Sequence, residues 1–460
     1  MTDNFGINHI IKNINIPILP TKLRKNIYTN LIETYNTYEL DSESKLIQDT
    51  FLDISTKNLH SHKGKKVLMQ LICNHFSKDP NKQRPTPRFI GGPKNLTVHY
   101  SKKYNKIIYI FGEYHSDIVD CDTRFGDESS KEKWDKPNSK KMRVEYFLSE
   151  FIRTTDVFLD IFVEFPIVPK KEGKYHSNFN PFSSNIRLNK LLENFKECLQ
   201  RNTRTEVCSL ARIHYFDIRY FDDKGIITPS NNTNYFYDKL NHIFTNLFGS
   251  ERIKKLRSFV QDPIIKEVLL QLSHPNKEEL EKILMQHLID LSYNKKELRR
   301  LENDDPKMKD TILDFFKKEI TETVKKYRDI WLENVTIVLK NHEYPIVTFY
   351  PAFIIIRESI IKVNSLYTDL YTLLRIFKKF NMSEIKEKEY EKATDQPEKA
   401  HNIIIYGGDF HAQTYRKFFT EVLKFDKLEV AGKEEPYKEM GEKMYCIDMK
   451  TISQPLFSIS

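Results

Sequence analysis

Two short apolar stretches that end in the same polar motif constrain the fold of this chain most. Residues 107–115 read IIYIFGEYH, and residues 403–411 read IIIYGGDFH. Each apolar run is too short for a helix and has no helical period, so both are predicted to be buried strands. When the two stretches are aligned on their first residues, both end in glycine, an acid, an aromatic residue and histidine. The sequence therefore predicts two buried strands that each deliver an acid and a histidine to a polar site.

Other segments are predicted to surround these two strands. Residues 83–95 are rich in proline and glycine and indicate a turn or linker. Ser139 is a suitable N-cap for a following helix. Strands are predicted at 96–101 and 106–111, which should pair antiparallel, and at 157–164, 212–221 and 443–449, with helices at 139–153, 189–201 and 412–425.

This alternation of strands and helices is typical of an α/β fold. We expect a central, largely parallel sheet flanked by helices, with right-handed crossovers. Ligands of open α/β sheets bind outside the carboxyl ends of the strands. Polar residues that follow the apolar runs are therefore candidates for one common site.

Residues 234–400 show a different pattern, because several long segments carry helical periodicity with charged faces. We interpret them as a large helical insertion between the two halves of the sheet, whose aromatic residues form a helical core. The predicted organisation is a mainly helical N-terminal region at 1–95, a first part of the α/β core at 96–233, the helical insertion at 234–400 and a second part of the core at 401–460.

The net charge of +9 raises the possibility of a nucleic-acid partner, but the basic residues are interspersed with acids and form no stripe. No specific nucleic-acid partner is therefore predicted. No apolar run is long enough to cross a membrane, and the first residues lack a basic segment followed by an apolar core. We expect no membrane partner and a cytoplasmic location, which would be the host cytoplasm or the virion if the chain is viral.

The five cysteines are widely spaced and form no Cys-x-x-Cys pair, so neither a disulfide framework nor a cysteine zinc site is indicated. Cys121 follows His115 closely in sequence and could approach the site. A buried, reduced thiol is the expected state of this residue.

The candidate site residues share one property, since each lies at the carboxyl end of an apolar run. We predict Glu113, His115, Glu164, Asp409 and His411 as catalytic residues, and Asp217 and Arg219 as substrate-binding residues. Two imidazoles with several carboxylates suit a divalent ion such as manganese, zinc, cobalt or iron, with His115, His411, Glu113 and Glu164 as ligands. Such an ion would activate a bound water molecule, and a carboxylate outside the ligand set would act as general base.

Metal-free and structural interpretations stand beside this one. A histidine held by a carboxylate could activate water directly. Asp217 and Arg219 could form a buried ion pair, and Asp409 could cap the following helix. Glu164, which precedes a proline-containing segment, could cap a helix as well.

The two Gly-x-x-His motifs at 112–115 and 408–411, with the strand-terminal Glu164 between them, resemble those of the TraB/Tiki superfamily. Erythromycin-esterase-like and ChaN-like proteins share this outline. The resemblance covers roughly residues 100–225 and 401–425, and it implies an α/β fold with both histidines and Glu164 in one cleft. It also implies either a metal-dependent peptidase, as in Tiki-type members, or an esterase that uses a histidine to activate water.

Three functional hypotheses follow. The first is a hydrolase, assisted by a divalent metal, that cleaves an amide or ester bond in a peptide or ester substrate. The second is a non-catalytic structural or host-interaction protein of a large DNA virus that retains an α/β scaffold. The third is a metal-free histidine-dependent esterase or a magnesium-dependent phosphoesterase that uses the carboxylates.

Overall fold

The computed structural model describes residues 84–114, 121–125, 133–136, 139–155, 157–166, 191, 211–219, 232–340, 343–380, 397–434 and 445–457. Its strands are β1 Phe89–Gly91, β2 Pro93–Ser101, β3 Lys106–Glu113, β4 Lys141–Arg143, β5 Leu159–Pro166, β6 Ala211–Asp217, β7 Asn402–Gly408, β8 Asp426–Gly432 and β9 Cys446–Asp448. Its helices are α1 Asp122–Phe125, α2 Val144–Thr154, α3 Asn232–Asn246, α4 Gly249–Phe259, α5 Pro263–Leu272, α6 Lys277–Asp290, α7 Ser292–Asp304, α8 Pro306–Leu339, α9 Ile346–Phe377 and α10 Asp409–Lys417.

The predicted α/β fold class is confirmed. Six strands form the main sheet in the order β6-β5-β7-β3-β2-β8, and β6, β5, β7 and β3 are parallel. The predicted antiparallel pairing of β2 with β3 is also confirmed, through a turn after Ser101. A small sheet with the order β4-β1-β9 lies beside the main one, so the predicted strand near residue 446 is an edge strand of that small sheet.

The two motif-bearing strands are direct neighbours. β3 pairs in parallel with β7, and Glu113 lies opposite Gly408 in the register. Alignment of the two sequences places Glu113 opposite Asp409 instead, so the two motifs are staggered by one residue across the strand pair. The stagger matters because neighbouring residues of a strand point to opposite faces of the sheet.

The sheet has two faces with separate cores. On the first, which we call the insertion face, Ile108, Ile110, Phe162, Ile403 and Ile405 pack with α9 and α10. On the second, the α2 face, Tyr109, Phe111, Val163, Ile404 and Tyr406 pack with α2. This strict alternation assigns each residue at the strand ends to one face or the other.

The region between the sheet halves is helical, as predicted, from α3 to α9. Helix starts follow local chemistry, since Asp262, Asn276 and Asp305 accept hydrogen bonds from backbone amides of the first turns of α5, α6 and α8. The long helices α8 and α9 are joined by a hydrogen bond from Trp331 Nε1 to Ser359 Oγ of 2.6 Å. No helix among the described residues has the combination of length and apolar character that a membrane span requires.

Several predicted boundaries differ from the structure. The helix predicted to start at Ser139 starts at Val144, because residues 141–143 form β4 and pair with β1. Residues 89–91 and 93–95 belong to β1 and β2, although their glycine and proline content predicted a turn. The helix predicted to start at residue 412 starts at Asp409, so Asp409 and His411 lie within its first turn. Residues 1–83, predicted to be mainly helical, lie outside the described residues.

Cys121 is bonded to Cys446, and the expectation of a reduced thiol is therefore wrong. The two Cα atoms are 5.1 Å apart, although the residues are separated by 325 positions in the sequence. Phe89 is buried beside the disulfide, and its ring lies 4.9 Å from that of Phe125. Spacing rules could not find this pair because tertiary structure alone brings the two cysteines together.

Candidate functional site

His411 is the centre of a buried polar network on the insertion face. Its Nδ1 atom lies 2.6 Å from Oδ1 of Asp369 in α9, and its Nε2 atom lies 3.1 Å from Oε1 of Glu164 in β5. His411, Glu164 and Asp369 are 4 %, 2 % and 0 % exposed, respectively. The imidazole is thus held between two carboxylates that come from different parts of the chain.

Glu164 receives hydrogen bonds at both carboxylate oxygens. The backbone amide of Gly408 donates to Oε2 at 2.6 Å, and an Nη2 proton of Arg219 is donated to Oε1 at 3.1 Å. Gly408 is the N-cap of α10, so the positive end of this helix faces the carboxylate. The anion at this helix terminus is thus the side chain of Glu164.

Asp217 and Arg219 form an ion pair at the end of β6. Nε and Nη2 of Arg219 lie 2.7 and 2.8 Å from the two carboxylate oxygens of Asp217. Arg219 is partly exposed, whereas Asp217 is buried. The structure therefore brings four of the predicted residues together, namely Glu164, Asp217, Arg219 and His411, and the network reaches the surface at Arg219.

The network fixes His411 in its charged form. Burial by itself lowers the pKa of this histidine, but the carboxylates of Glu164 and Asp369 outweigh it and raise that pKa to about 9. The ring of Phe216 meets the imidazole edge-on at 6.0 Å, and Tyr415 stacks at 6.4 Å. Burial also raises the pKa of Tyr415 well above its usual range, and the negative charge of Asp369 adds to the effect. At neutral pH the site holds an imidazolium ion between two carboxylates.

Asp409 belongs to a different cluster, on the opposite side of the first turn of α10. Its two carboxylate oxygens accept hydrogen bonds from Lys94 at 2.7 Å and from Asn95 and Arg416 at 2.8 Å each. Burial raises the pKa of Asp409, but Arg416, Asn95 and Lys94 outweigh it and hold that pKa below its usual value. The carboxylate anchors α10 to β2, and it makes no hydrogen bond to His411.

Glu113 lies on the α2 face of the sheet, away from His411 and Glu164. Its Oε2 atom accepts a hydrogen bond from the hydroxyl of Tyr406, whose ring is part of the α2-face core. Because β3 is staggered by one residue against β7, Glu113 lies opposite Gly408 and not opposite Asp409, and its side chain therefore points to the α2 face. His115 lies outside the described residues, so its predicted role stays a prediction.

Gly112 of the first motif and Gly407, which precedes the second motif, leave room for neighbouring side chains. A Cβ atom at Gly112 would lie 2.6 Å from Oδ1 of Asp409 and 2.7 Å from Oδ1 of Asn95. A Cβ atom at Gly407 would lie 2.9 Å from the ring of Phe216 and 3.1 Å from Oε2 of Glu164. Gly112 lies within β3, where the absence of a side chain allows this close packing.

Sequence reasoning missed Asp369, Lys94, Asn95 and Arg416. Asp369 interrupts an apolar stretch, SLYTDLYTLL, and an acid at a buried helical position is a detectable signal. Its partner could not be identified, because His411 is distant in the sequence. The proline and glycine content of residues 83–95 predicts a turn, where polar residues such as Lys94 and Asn95 are ordinary.

The described residues do not fit the predicted metal centre. Both ring nitrogens of His411 lie within hydrogen-bond distance of carboxylates, whereas a metal ligand needs a ring nitrogen whose lone pair is directed at the ion. Glu113 is on the other face of the sheet. Within the described ranges no group of three or more histidine, cysteine, aspartate or glutamate side chains is arranged to hold an ion.

Comparison of the chain with protein-family models, curated proteins and solved structures found no match.

Proposed function

We propose that this protein is a hydrolase that cleaves an ester or amide bond by general acid–base catalysis, with His411 as the acid and Glu164 as the base. The observation that carries the proposal is the direct contact of a buried imidazolium with a carboxylate at the carboxyl edge of a parallel sheet. Ligands of such sheets bind at this edge. The resemblance of the Gly-x-x-His motifs to those of hydrolytic families is a second, weaker support.

The proton transfers can be followed atom by atom. Glu164 accepts a proton from the attacking water molecule, and His411 gives its Nε2 proton to the leaving nitrogen or oxygen. After bond cleavage Glu164 is protonated and His411 is neutral. The proton then returns from Oε1 of Glu164 to Nε2 of His411 across their 3.1 Å contact, which restores the starting state.

Two further residues support these transfers. Asp369 orients the imidazole through Nδ1 and stabilises its positive charge, as a carboxylate does in other catalytic histidine pairs. Arg219 contacts Glu164 and is the partly exposed cation of the network, so it is placed to stabilise negative charge on a substrate oxygen. Asp217 in turn holds Arg219.

The burial of the network favours a second candidate, a non-catalytic scaffold. An imidazolium and two carboxylates with little exposure can serve only to join α9, α10 and β5, as buried ion networks do in many proteins. In that case replacement of these residues changes stability and nothing else. The two candidates therefore differ in a measurable way.

The deciding experiment compares wild type with Glu164→Gln, Asp369→Asn and His411→Gln on a panel of fluorogenic peptide amides and carboxylic esters. We expect hydrolysis by wild type that persists after chelator treatment, and a loss of at least about 100-fold in kcat for Glu164→Gln and His411→Gln. His214→Gln is the matched control, because His214 is also a buried histidine on the insertion face but contacts none of the proposed catalytic groups.

Thermal unfolding of each variant separates loss of chemistry from loss of fold. Folded Glu164→Gln protein with normal turnover would contradict the hydrolase. A wild type that hydrolyses no substrate of the panel, with variants that differ only in stability, would support the scaffold. Activity that requires an added divalent ion would contradict the metal-free mechanism.

A further inference from the structure

Helix α9 carries a buried polar stripe that the proposed chemistry does not use. Asn364 and Thr368 are 1 % and 0 % exposed, although their surroundings on this helix are largely apolar. Neither the amide nitrogen nor the amide oxygen of Asn364 has a hydrogen-bond partner in the described part of the chain, and the same holds for the hydroxyl of Thr368. Unpaired groups of this kind are costly in a protein interior and call for an explanation.

The stripe lies on the side of helix α9 that also carries Arg375. Asn364, Thr368 and Arg375 are spaced by four and seven residues, so their side chains leave the helix within about 40° of one another. Arg375 shows what packs near this side of α9, because its Nη2 atom lies 3.0 Å from Nδ1 of His214 in β6 and its Nη1 atom lies 3.3 Å from Oε1 of Glu297 in α7. Asn364 and Thr368 therefore lie on the same side of α9 as Arg375, where β6 and α7 pack against this helix.

The level of the stripe along β6 follows from the rise per residue of an α-helix and of a β-strand. From Arg375 back to Thr368 the helix advances roughly 10 Å, which corresponds to about three residues of a strand. Starting at His214, this distance places Thr368 at the level of the carboxyl end of β6, and Asn364 lies about 6 Å further on. Asp369, next to Thr368 in the chain, confirms this level because it contacts His411.

The unpaired atoms define the chemistry of a ligand. Asn364 offers a donor and an acceptor side by side, and a carboxamide satisfies both with two hydrogen bonds. A carboxylate provides acceptors only and would approach the negative charges of Glu164, Asp369 and Asp217, which exceed the positive charges of His411 and Arg219. An apolar group would leave Asn364 and Thr368 unpaired. A neutral carboxamide is therefore the group that fits best.

We propose that Asn364 and Thr368 form a specificity subsite, contributed by the helical insertion, that binds a carboxamide group of the substrate beside the His411–Glu164 pair. The assignment of this ligand as a substrate rests on the proposed function, whereas binding of the carboxamide does not. Occupation of the subsite gives partners to three otherwise unpaired buried atoms. It also explains why an apolar helix keeps polar residues at these two positions.

Binding is tested by calorimetric titration and thermal shift with three probes of nearly equal shape, the N-methylamides of N-acetylasparagine, N-acetylaspartate and N-acetylleucine. We expect wild type to bind the asparagine probe at least tenfold more tightly than either of the others. Thr368→Val and Asn364→Leu should remove this preference. His411→Gln should retain it, so a failed hydrolase and a failed subsite give different results.

A matched control uses the same substitution at another buried threonine. Thr323 of α8 donates its hydroxyl proton to the carbonyl of Glu319 at 2.7 Å, so Thr323→Val removes a hydrogen bond that exists within the protein. Without a probe we expect a lower Tm for Thr323→Val but no decrease for Thr368→Val, because an unpaired buried hydroxyl costs stability.

Three results would overturn the proposal: no binding of the asparagine probe up to its solubility limit, equal binding of all three probes, or an unchanged preference in both variants. A lower Tm for ligand-free Thr368→Val would overturn it too, because the hydroxyl would then already have a partner such as an internal water molecule.

Discussion

His411 and His214 lie buried on the same face of the sheet and contact the same helix, yet His411 is charged at neutral pH and His214 is neutral. Asp369 of α9 contacts Nδ1 of His411, while Arg375 of α9 lies 3.0 Å from Nδ1 of His214. A guanidinium can only donate, so Nδ1 of His214 must accept and the ring is neutral. Burial lowers the pKa of His214 to about 3, whereas the pKa of His411 is raised to about 9.

The charge of His411 should depend on Asp369. In Asp369→Asn the amide oxygen can still accept the hydrogen bond, but one of two neighbouring negative charges is gone. We expect the pKa of His411 to fall by at least about one unit, because two carboxylates together maintain the shift. Histidine-selective NMR between pH 5 and 10 measures this value. His214 should stay neutral across that range in both proteins, and an unchanged His411 titration would contradict the assignment.

Stability should decrease in mildly alkaline solution. The folded pKa of His411, about 9, exceeds the value of about 6.5 in unfolded chains. The stabilisation is therefore complete below pH 6.5 and is lost as pH rises through 9, with a total of roughly 3 kcal/mol. Denaturant unfolding from pH 6 to 9.5 measures the loss. Glu164→Gln should show a smaller decrease over this range, and parallel curves for the two proteins would refute the linkage.

Much of the fold was predictable because the strands carry their own pattern. The apolar runs of β3, β5 and β7 are buried on both sides and read as strands without reference to any partner. The region from α3 to α9 was recognisable from its helical period. The local sequence pattern did not predict β1 and β4. Each of these strands is only three residues long and is formed by pairing within the small sheet, where β1 lies between β4 and β9.

The candidate site was predictable only in part, for a geometric reason. Sequence identified the strand ends that carry Glu164, Arg219 and His411, since ligands bind at that edge of a sheet. It could not establish the one-residue stagger that moves Glu113 to the α2 face. Nor could it identify Asp369, because an acid in a distant helix becomes a partner of His411 only through the packing of α9 on the sheet.

Gly112 should not tolerate a side chain. Gly112→Ala would place a methyl group within 2.7 Å of both Asp409 and Asn95 and would break their hydrogen bond. We expect a loss of roughly 2–4 kcal/mol in the free energy of unfolding, measured by denaturant titration. Gly249→Ala is the control, because a Cβ there meets nothing within 4 Å and only its positive φ costs about 1 kcal/mol. Equal losses in the two variants would show that packing at Gly112 is unimportant.

The disulfide should contribute substantially to stability. Cys121 and Cys446 close a loop of 325 residues, for which the chain-entropy estimate is about 6 kcal/mol. Digestion under non-reducing conditions should yield a linked peptide, and reductant should lower the Tm of wild type but not of Cys121→Ser/Cys446→Ser. Disulfides persist mainly in oxidising compartments, which is at odds with the cytoplasmic location expected from the sequence. Alkylation of both thiols in native, unreduced protein would contradict the bond.

Lys94 and Asp409 should be strongly coupled in stability. Both side chains are almost fully buried and 2.7 Å apart, and Arg416 also contacts Asp409 at 2.8 Å. Removal of Lys94 therefore leaves Asp409 with one cation, whereas removal of the Asp409 charge takes the common carboxylate from two cations. We expect Asp409→Asn alone to cost roughly 3–5 kcal/mol and Lys94→Met alone to cost less, and the double variant to cost at least about 1.5 kcal/mol less than the sum.

The exposed pair Lys427–Glu434 provides the control cycle for this measurement, because its ions are 2.9 Å apart but largely hydrated. Its coupling should stay below about 1 kcal/mol. Similar couplings in the two cycles would mean that burial of the Lys94–Asp409 pair is incomplete in solution. A large coupling only at Lys94–Asp409 would establish that this cluster fixes the first turn of α10, and through that turn the position of His411.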